Sequence, residues 1–141
     1  MTDVEYTDEF GAWWEALTEP EQESVAYSVG LLEAKGMALG YPHSSRINGS
    51  RHAHMRELRV QHQGRPYRVF YAFDPRRKAI LLIAGDKTGD GRFYERMIPE
   101  ADRLYDEHLD EFAGEVDDWT ATLQNEAIST WRDPSRSYET R

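Results

Sequence analysis

The sequence predicts an α+β fold in which an N-terminal helical hairpin packs on a small, mainly antiparallel sheet and a C-terminal helix follows. Three observations carry this. Two capped segments with helical periodicity open the chain, three runs of branched and aromatic residues occupy its middle, and a longer periodic segment comes after them. A length of 141 residues is enough for one domain with its own core and too short for two ordinary ones.

Asp3-Val4-Glu5-Tyr6 alternates polar and apolar residues and reads as a short edge strand. Thr7 has the chemistry of an N-cap, with Asp8 and Glu9 in the first turn and Phe10, Trp13, Trp14 and Leu17 at helical spacing. Thr18-Glu19-Pro20-Glu21 forms a capping box with proline at the helix start; Val25, Val29 and Leu32 continue the stripe, and Gly36 stops it. The aromatic face of this hairpin must cover something, so the tryptophans are assigned to the core. Gly40, Pro42, Ser44, Ser45, Asn48 and Gly49 give residues 39–49 the chemistry of a loop.

Residues 55–61, 67–74 and 79–85 then read as a three-stranded meander, with turns at Gln63-Gly64-Arg65-Pro66 and Asp74-Pro75-Arg76-Arg77. Ala79-Ile80-Leu81-Leu82-Ile83-Ala84 is apolar without alternation, which suits a central strand covered on both faces. A polar turn over 85–91 leads into a last helix at about 93–112, with Met97, Ala101, Leu104, Tyr105 and Leu109 along one stripe. Residues 1–112 are thus expected to form the domain, and 113–141 an acidic extension that is partly helical, through Val116, Trp119 and Leu123, or disordered. Asp133-Pro134-Ser135-Arg136-Ser137 reads as frayed chain, and the extension is expected to contribute little to the fold.

The net charge of −9 is unevenly spread: residues 1–40 and 98–141 each carry −8, whereas 41–97 carries +7. Such asymmetry marks a localised cationic surface able to hold phosphates, with a scatter of solvated arginines as the plainer alternative. No cysteine is present, so a disulfide, a thiolate zinc site and a cysteine nucleophile are all excluded, and a reducing cytoplasm is the expected home. The N-terminus lacks the basic and apolar regions of a signal peptide, and no apolar run approaches the roughly 18 residues that span a bilayer. No membrane role is expected.

Strand alternation puts Leu58 and Val60 under the helices and leaves Glu57 and Arg59 on an open face. In the next strand Tyr67, Val69, Tyr71 and Phe73 form the core set, and Arg68 points outward with Phe70 and Ala72. Two arginines and a carboxylate therefore converge. Lys87 sits where the chain leaves the sheet, and Tyr94 opens the following helix. Arginine forks match a phosphate bidentately and can stabilise extra charge on a pentacoordinate phosphorus, chemistry that needs no metal when a 2′-hydroxyl is the nucleophile. Glu57 then takes a proton, and Lys87 or Tyr94 gives or relays one. An ordinary cross-strand ion-pair ladder is the structural alternative. Arg51, Arg56, Arg65 and Arg92 are the candidate contacts to the RNA backbone. His52-Ala53-His54 is too sparse for a metal site, and no cofactor is expected.

Glu57-Leu58-Arg59, Tyr67-Arg68-Val69-Phe70-Tyr71 and Gly85-Asp86-Lys87 followed by Phe93-Tyr94, in this order of elements, resemble the RelE/HigB superfamily of toxins from type II toxin-antitoxin systems. The likeness spans roughly residues 3–112 and is nearest to the phage-derived HigB-like branch, which Leu39-Gly40, Pro42 and Asn48-Gly49-Ser50 also resemble. It implies a ribosome-dependent messenger-RNA endonuclease (an mRNA interferase) that works in the decoding site, inhibits translation and is silenced by a cognate helix-turn-helix antitoxin. By the same likeness Arg68 matches an arginine that contacts the scissile phosphate, Glu57 and Arg59 match a charged pair, and Lys87 and Tyr94 match a basic residue and a tyrosine near the last helix. The loop 60–66 is longer than in compact relatives, and their histidines near the end of the fold have no counterpart. ParE-type toxins, which bind DNA gyrase without cutting RNA, resemble the same fold, and an inactive regulatory homologue is a further alternative. Convergent arginines with a glutamate and a tyrosine favour the nuclease.

Overall fold

Residues 1–117 and 128–135 are described by a computed structural model of the chain. The elements run β1 (Val4–Thr7), α1 (Asp8–Glu15), α2 (Glu19–Lys35), a 3-10 turn (Gly36–Ala38), β2 (Ser44–Arg46), β3 (Arg56–His62), β4 (Arg65–Phe73), β5 (Ala79–Asp86), α3 (Phe93–Asp117) and β6 (Ile128–Thr130). One sheet takes all six strands in the order β2-β3-β4-β5-β1-β6, with only β1 and β5 parallel.

Local chemistry sets the helix and hairpin ends. Thr7 Oγ1 accepts from the Phe10 amide at 3.1 Å, and Thr18 and Glu21 form the reciprocal capping box. Gly36 ends α2 with φ of 55°, a conformation that favours glycine. At the β3–β4 hairpin the strands run on to His62 and Arg65, so the turn is Gln63-Gly64 alone, both at positive φ. Such a two-residue turn matches the right-handed twist of its strands and fixes their register. The longer loop expected over 60–66 is therefore mostly paired strand.

The helical hairpin is corrected. α1 packs on β5 and α2 on β3, so the two helices divide one face of the sheet. A helix stripe can be buried only once, and Phe10, Val25, Val29 and Leu32 bury theirs with Leu58, Val60, Val69, Tyr71 and Leu81. The other face is not open either. α3 lies across it, and Met97, Ala101, Leu104 and Tyr105 pack on Phe70, Ala72, Ile80 and Leu82. Strand β5 is covered on both sides, as its unbroken apolar run predicts.

The sheet is also larger than a meander. β1 is no edge: it pairs with β5 on one side and β6 on the other. Ser44-Ser45-Arg46, assigned to a loop, is the edge strand β2. Helix α3 continues to Asp117, and β6 joins the sheet. Trp131 follows β6 and is buried, with its ring centroid 4.8 Å from that of Trp14 and 6.1 Å from that of Phe10. Asp133 Oδ1 accepts from the Ser135 amide at 2.9 Å, which makes a turn where frayed chain is expected. Trp119, Leu123 and residues 136–141 lie outside the described residues.

Beneath the β4–β5 turn, Asp74 is buried with its Oδ2 2.9 Å from His108 Nε2 and 2.8 Å from Arg76 Nε. Burial alone would raise this carboxyl, but hydrogen bonds from His108, Arg76 and the Lys78 amide more than offset that and bring it down to about 2.

Two outcomes are expected. Trp131→Ala removes a buried aromatic side chain and costs about 3–5 kcal/mol of stability, read from chemical denaturation. Because the folded Asp74 titrates below its ordinary value of 3.8, its stabilisation is complete above that value and is lost as pH falls toward about 2. The melting temperature should therefore drop over that acid window, and Asp74→Asn should flatten this limb.

Candidate active site

Period two along β3 puts Glu57 and Arg59 on one face, and the β3–β4 register sets Arg68 directly opposite Arg59. Two arginines in that position repel each other. Glu57 relieves the repulsion by facing both: its Oε2 accepts from Arg59 Nη1 at 3.3 Å, and its Oε1 lies 3.5 Å from Arg68 Nε. Two hydroxyls complete the shell. Ser45 of β2 donates to Oε2 at 2.7 Å, and Tyr94 of α3 donates to Oε1 at 2.6 Å.

The cluster is sunk into the fold. Glu57 is 5% exposed and Arg68 4%, whereas the Arg59 side chain remains 28% exposed. Arg68 thus does not project from an open sheet as alternation alone suggests, because the N-terminal turn of α3 closes over it. Arg68 Nη1 donates to the Tyr67 carbonyl at 3.0 Å, while its buried Nε has no hydrogen-bond partner. Its charge is met instead by the Glu57 carboxylate, 3.5 Å away.

Gly85 lets α3 approach. It sits opposite Arg68 in β5, and a Cβ there would lie 3.0 Å from the Phe93 ring. Phe93 therefore rests on the sheet backbone, and the next residue, Tyr94, is aimed at Glu57. Its ring packs edge-on against Phe70 with centroids 6.0 Å apart, and the Lys87 ammonium stands 5.1 Å from its centroid. Burial, together with the bond to the Glu57 carboxylate, pushes the Tyr94 hydroxyl above the usual tyrosine range.

All five predicted catalytic positions, Glu57, Arg59, Arg68, Lys87 and Tyr94, are thus brought into one contact network. Two members were not legible in the sequence. Ser45 lies in a strand too short to show alternation, and Tyr41, 5.2 Å from the Arg59 guanidinium carbon, lies in the preceding loop. Arg59 and Arg68 also line a cleft of about 680 Å³, whose opposite side is formed by Pro20, Glu23, Ser24 and Tyr27 of α2 with Pro42 and His43.

The predicted RNA-contacting arginines are dispersed. Arg65 pairs with Asp86 at 2.8 Å and Arg51 with Asp106 at 2.6 Å. Arg56 is on the sheet face opposite Glu57, where its Nε donates to Ser44 Oγ at 3.0 Å. Arg92 is exposed at the start of α3. His52 Nε2 lies 2.8 Å from Asp106 Oδ1.

The profile of the Gp49 family, described as "Phage derived protein Gp49-like (DUF891)", matches residues 12–106. Two curated proteins of Mycobacterium tuberculosis strain H37Rv are similar. "Putative toxin HigB2" is 41% identical over 107 residues, covering 74% of this chain and 53% of its own length. "Putative toxin HigB3" is 42% identical over 92 residues, covering 64% of this chain and 79% of its own. The chain thus spans about half the length of the first and four fifths of the second. No solved structure gives a significant match. The resemblance to the phage-derived HigB-like branch is borne out by these matches.

Glu57→Ala should destabilise the protein by about 3–5 kcal/mol, because it leaves the buried Arg68 charge uncompensated. Glu57→Gln, which keeps the shape and one acceptor, should cost less. Urea unfolding of the two variants checks the order.

Proposed function

The chain belongs to the phage-derived Gp49-like family, and from that premise we propose that it is the toxin of a toxin-antitoxin pair, acting as a metal-independent endoribonuclease on messenger RNA in the ribosomal decoding site. The observation that carries the reading is the single carboxylate, Glu57, shared by two arginines and a tyrosine beside a cleft.

In the proposed reaction the substrate's 2′-oxygen bonds to the adjacent phosphorus and the P–O5′ bond breaks, leaving a 2′,3′-cyclic phosphate and a 5′-hydroxyl. Tyr94 stays neutral because its ionisation is disfavoured, so it serves as a relay. The 2′-hydroxyl proton passes to the Tyr94 oxygen while the Tyr94 proton passes to Glu57 Oε1, 2.6 Å away. Lys87 supplies the proton that the departing O5′ needs. Arg59 and Arg68 balance the charge that builds on the phosphorane, Arg68 through donors already fixed in place. A cognate antitoxin and a cytoplasmic location belong to the same proposal. Among the described residues no helix is long and apolar enough to cross a membrane.

Arg68→Ala should lower ribosome-dependent cleavage about 10²- to 10³-fold, and Arg68→Lys should rescue it only in part, since a point charge does not reproduce the fork. Primer extension on messenger RNA in programmed ribosomes reads the rate, and growth arrest reports it in cells. A folded Arg68→Ala protein that cuts at the parent rate would remove this site from the reaction.

A further inference from the structure

Among the described residues, arginines commonly face a carboxylate. Arg51, Arg59, Arg65, Arg68, Arg76, Arg96 and Arg103 all have an aspartate or glutamate oxygen within 4 Å. Among the described residues Arg46, Arg56 and Arg77 have no such partner, and all three line one pocket of about 390 Å³ with Met37, His54 and Phe73. The pocket shares no residue with the Glu57 cluster or with the cleft beside it.

The concentration of charge there is not a by-product of packing. Arg46 of β2 and Arg56 of β3 are directly opposite each other in register, an arrangement of like charges that weakens a sheet. What each side chain does meet is neutral: Arg46 Nη2 donates to the Ala53 carbonyl at 3.1 Å, and Arg56 Nε to Ser44 Oγ at 3.0 Å. Arg77 comes from the β4–β5 turn, where its φ is 67°. The carboxylate in the pocket wall, Asp74, is already held by Arg76 and His108. Three guanidinium groups from three separate segments therefore converge with donor capacity to spare.

We infer that this pocket is a second RNA-binding site, which takes backbone phosphates through Arg46, Arg56 and Arg77. Guanidinium forks match phosphate oxygens bidentately, and contacts of this kind position a nucleic acid without reading its sequence. The inference deepens the proposed function but does not require cleavage: the pocket would hold RNA beyond the scissile bond while the Glu57 cluster does the chemistry.

The test is binding of a short fluorescein-labelled RNA hairpin, followed by anisotropy over about 50 to 200 mM salt. The protein carries Arg68→Ala so that cutting is slowed, with and without the pair Arg46→Gln and Arg77→Gln, both of which change exposed side chains. The pair should weaken binding about tenfold and reduce the slope of log affinity against log salt by about 2, one unit for each lost phosphate contact. Unchanged affinity and slope would overturn the inference. So would displacement of the hairpin by polyglutamate but not by unlabelled RNA, which would make the pocket an acidic-peptide site. Equal melting temperatures show that the pair has not simply unfolded the protein. Arg46→Gln/Arg77→Gln in the parent chain separates the two readings, since loss of binding with a parent in which cleavage is absent would leave the second site standing and remove the nuclease.

Discussion

The interaction on which the rest of the structure depends is the Glu57 carboxylate. Its two oxygens face groups from β2, β3, β4 and α3, so one side chain ties the sheet edge, the hairpin and the last helix together. A carboxylate this deep is tolerable only when charges and hydrogen bonds surround it, and Arg68 is tolerable only because Glu57 is there. Networks of this sort are worth more intact than their pairs suggest. The same arrangement leaves Arg68 Nε ion-paired with Glu57 but without a hydrogen bond of its own, in a network that borders a cleft.

Charge along the chain is segregated, but charge in the fold is largely paired. The acidic N-terminal segment supplies Glu5 to Arg76 and Lys78, and Glu21 to Arg65 and the Tyr67 hydroxyl. The hydrogen bond from Tyr67 is the main cause that lowers Glu21 to about 2, while burial and that same carboxylate push Tyr67 up to about 12. From the other flank, Asp106 of α3 answers Arg51 and His52. Among the described residues, acidic flanks therefore neutralise the basic middle segment except where no carboxylate reaches. Those exceptions, the Arg46–Arg56–Arg77 pocket above all, are the places where the basic charge is left for something outside the chain.

Arrangement of α3 explains why the site is enclosed. Its stripe of Met97, Ala101, Leu104 and Tyr105 covers the sheet face that carries Phe70 and Ala72, and the helix begins where that face turns polar. Phe93 anchors this start on Gly85, and Tyr94 is left with one direction to point. Substituting Gly85 would displace Phe93 and carry Tyr94 with it.

The sequence by itself determined what depends on neighbours in the chain. Thr7 and Thr18 cap their helices, Gly36 ends α2, Gln63-Gly64 turns the hairpin, and period two puts Glu57, Arg59 and Arg68 on one face. Only the tertiary structure decided that the two N-terminal helices share a sheet face instead of pairing, that α3 closes the other face over Arg68, and that β1, β2, β6 and Trp131 belong to the sheet and core. β2 and β6 are three-residue strands, too short to show a period, and β1 pairs with segments more than 70 residues away. Caps and turns are stabilised within a few residues, so the local sequence must encode them. Long-range strand pairing is stabilised only after a large loop has been closed, by backbone groups that every residue carries.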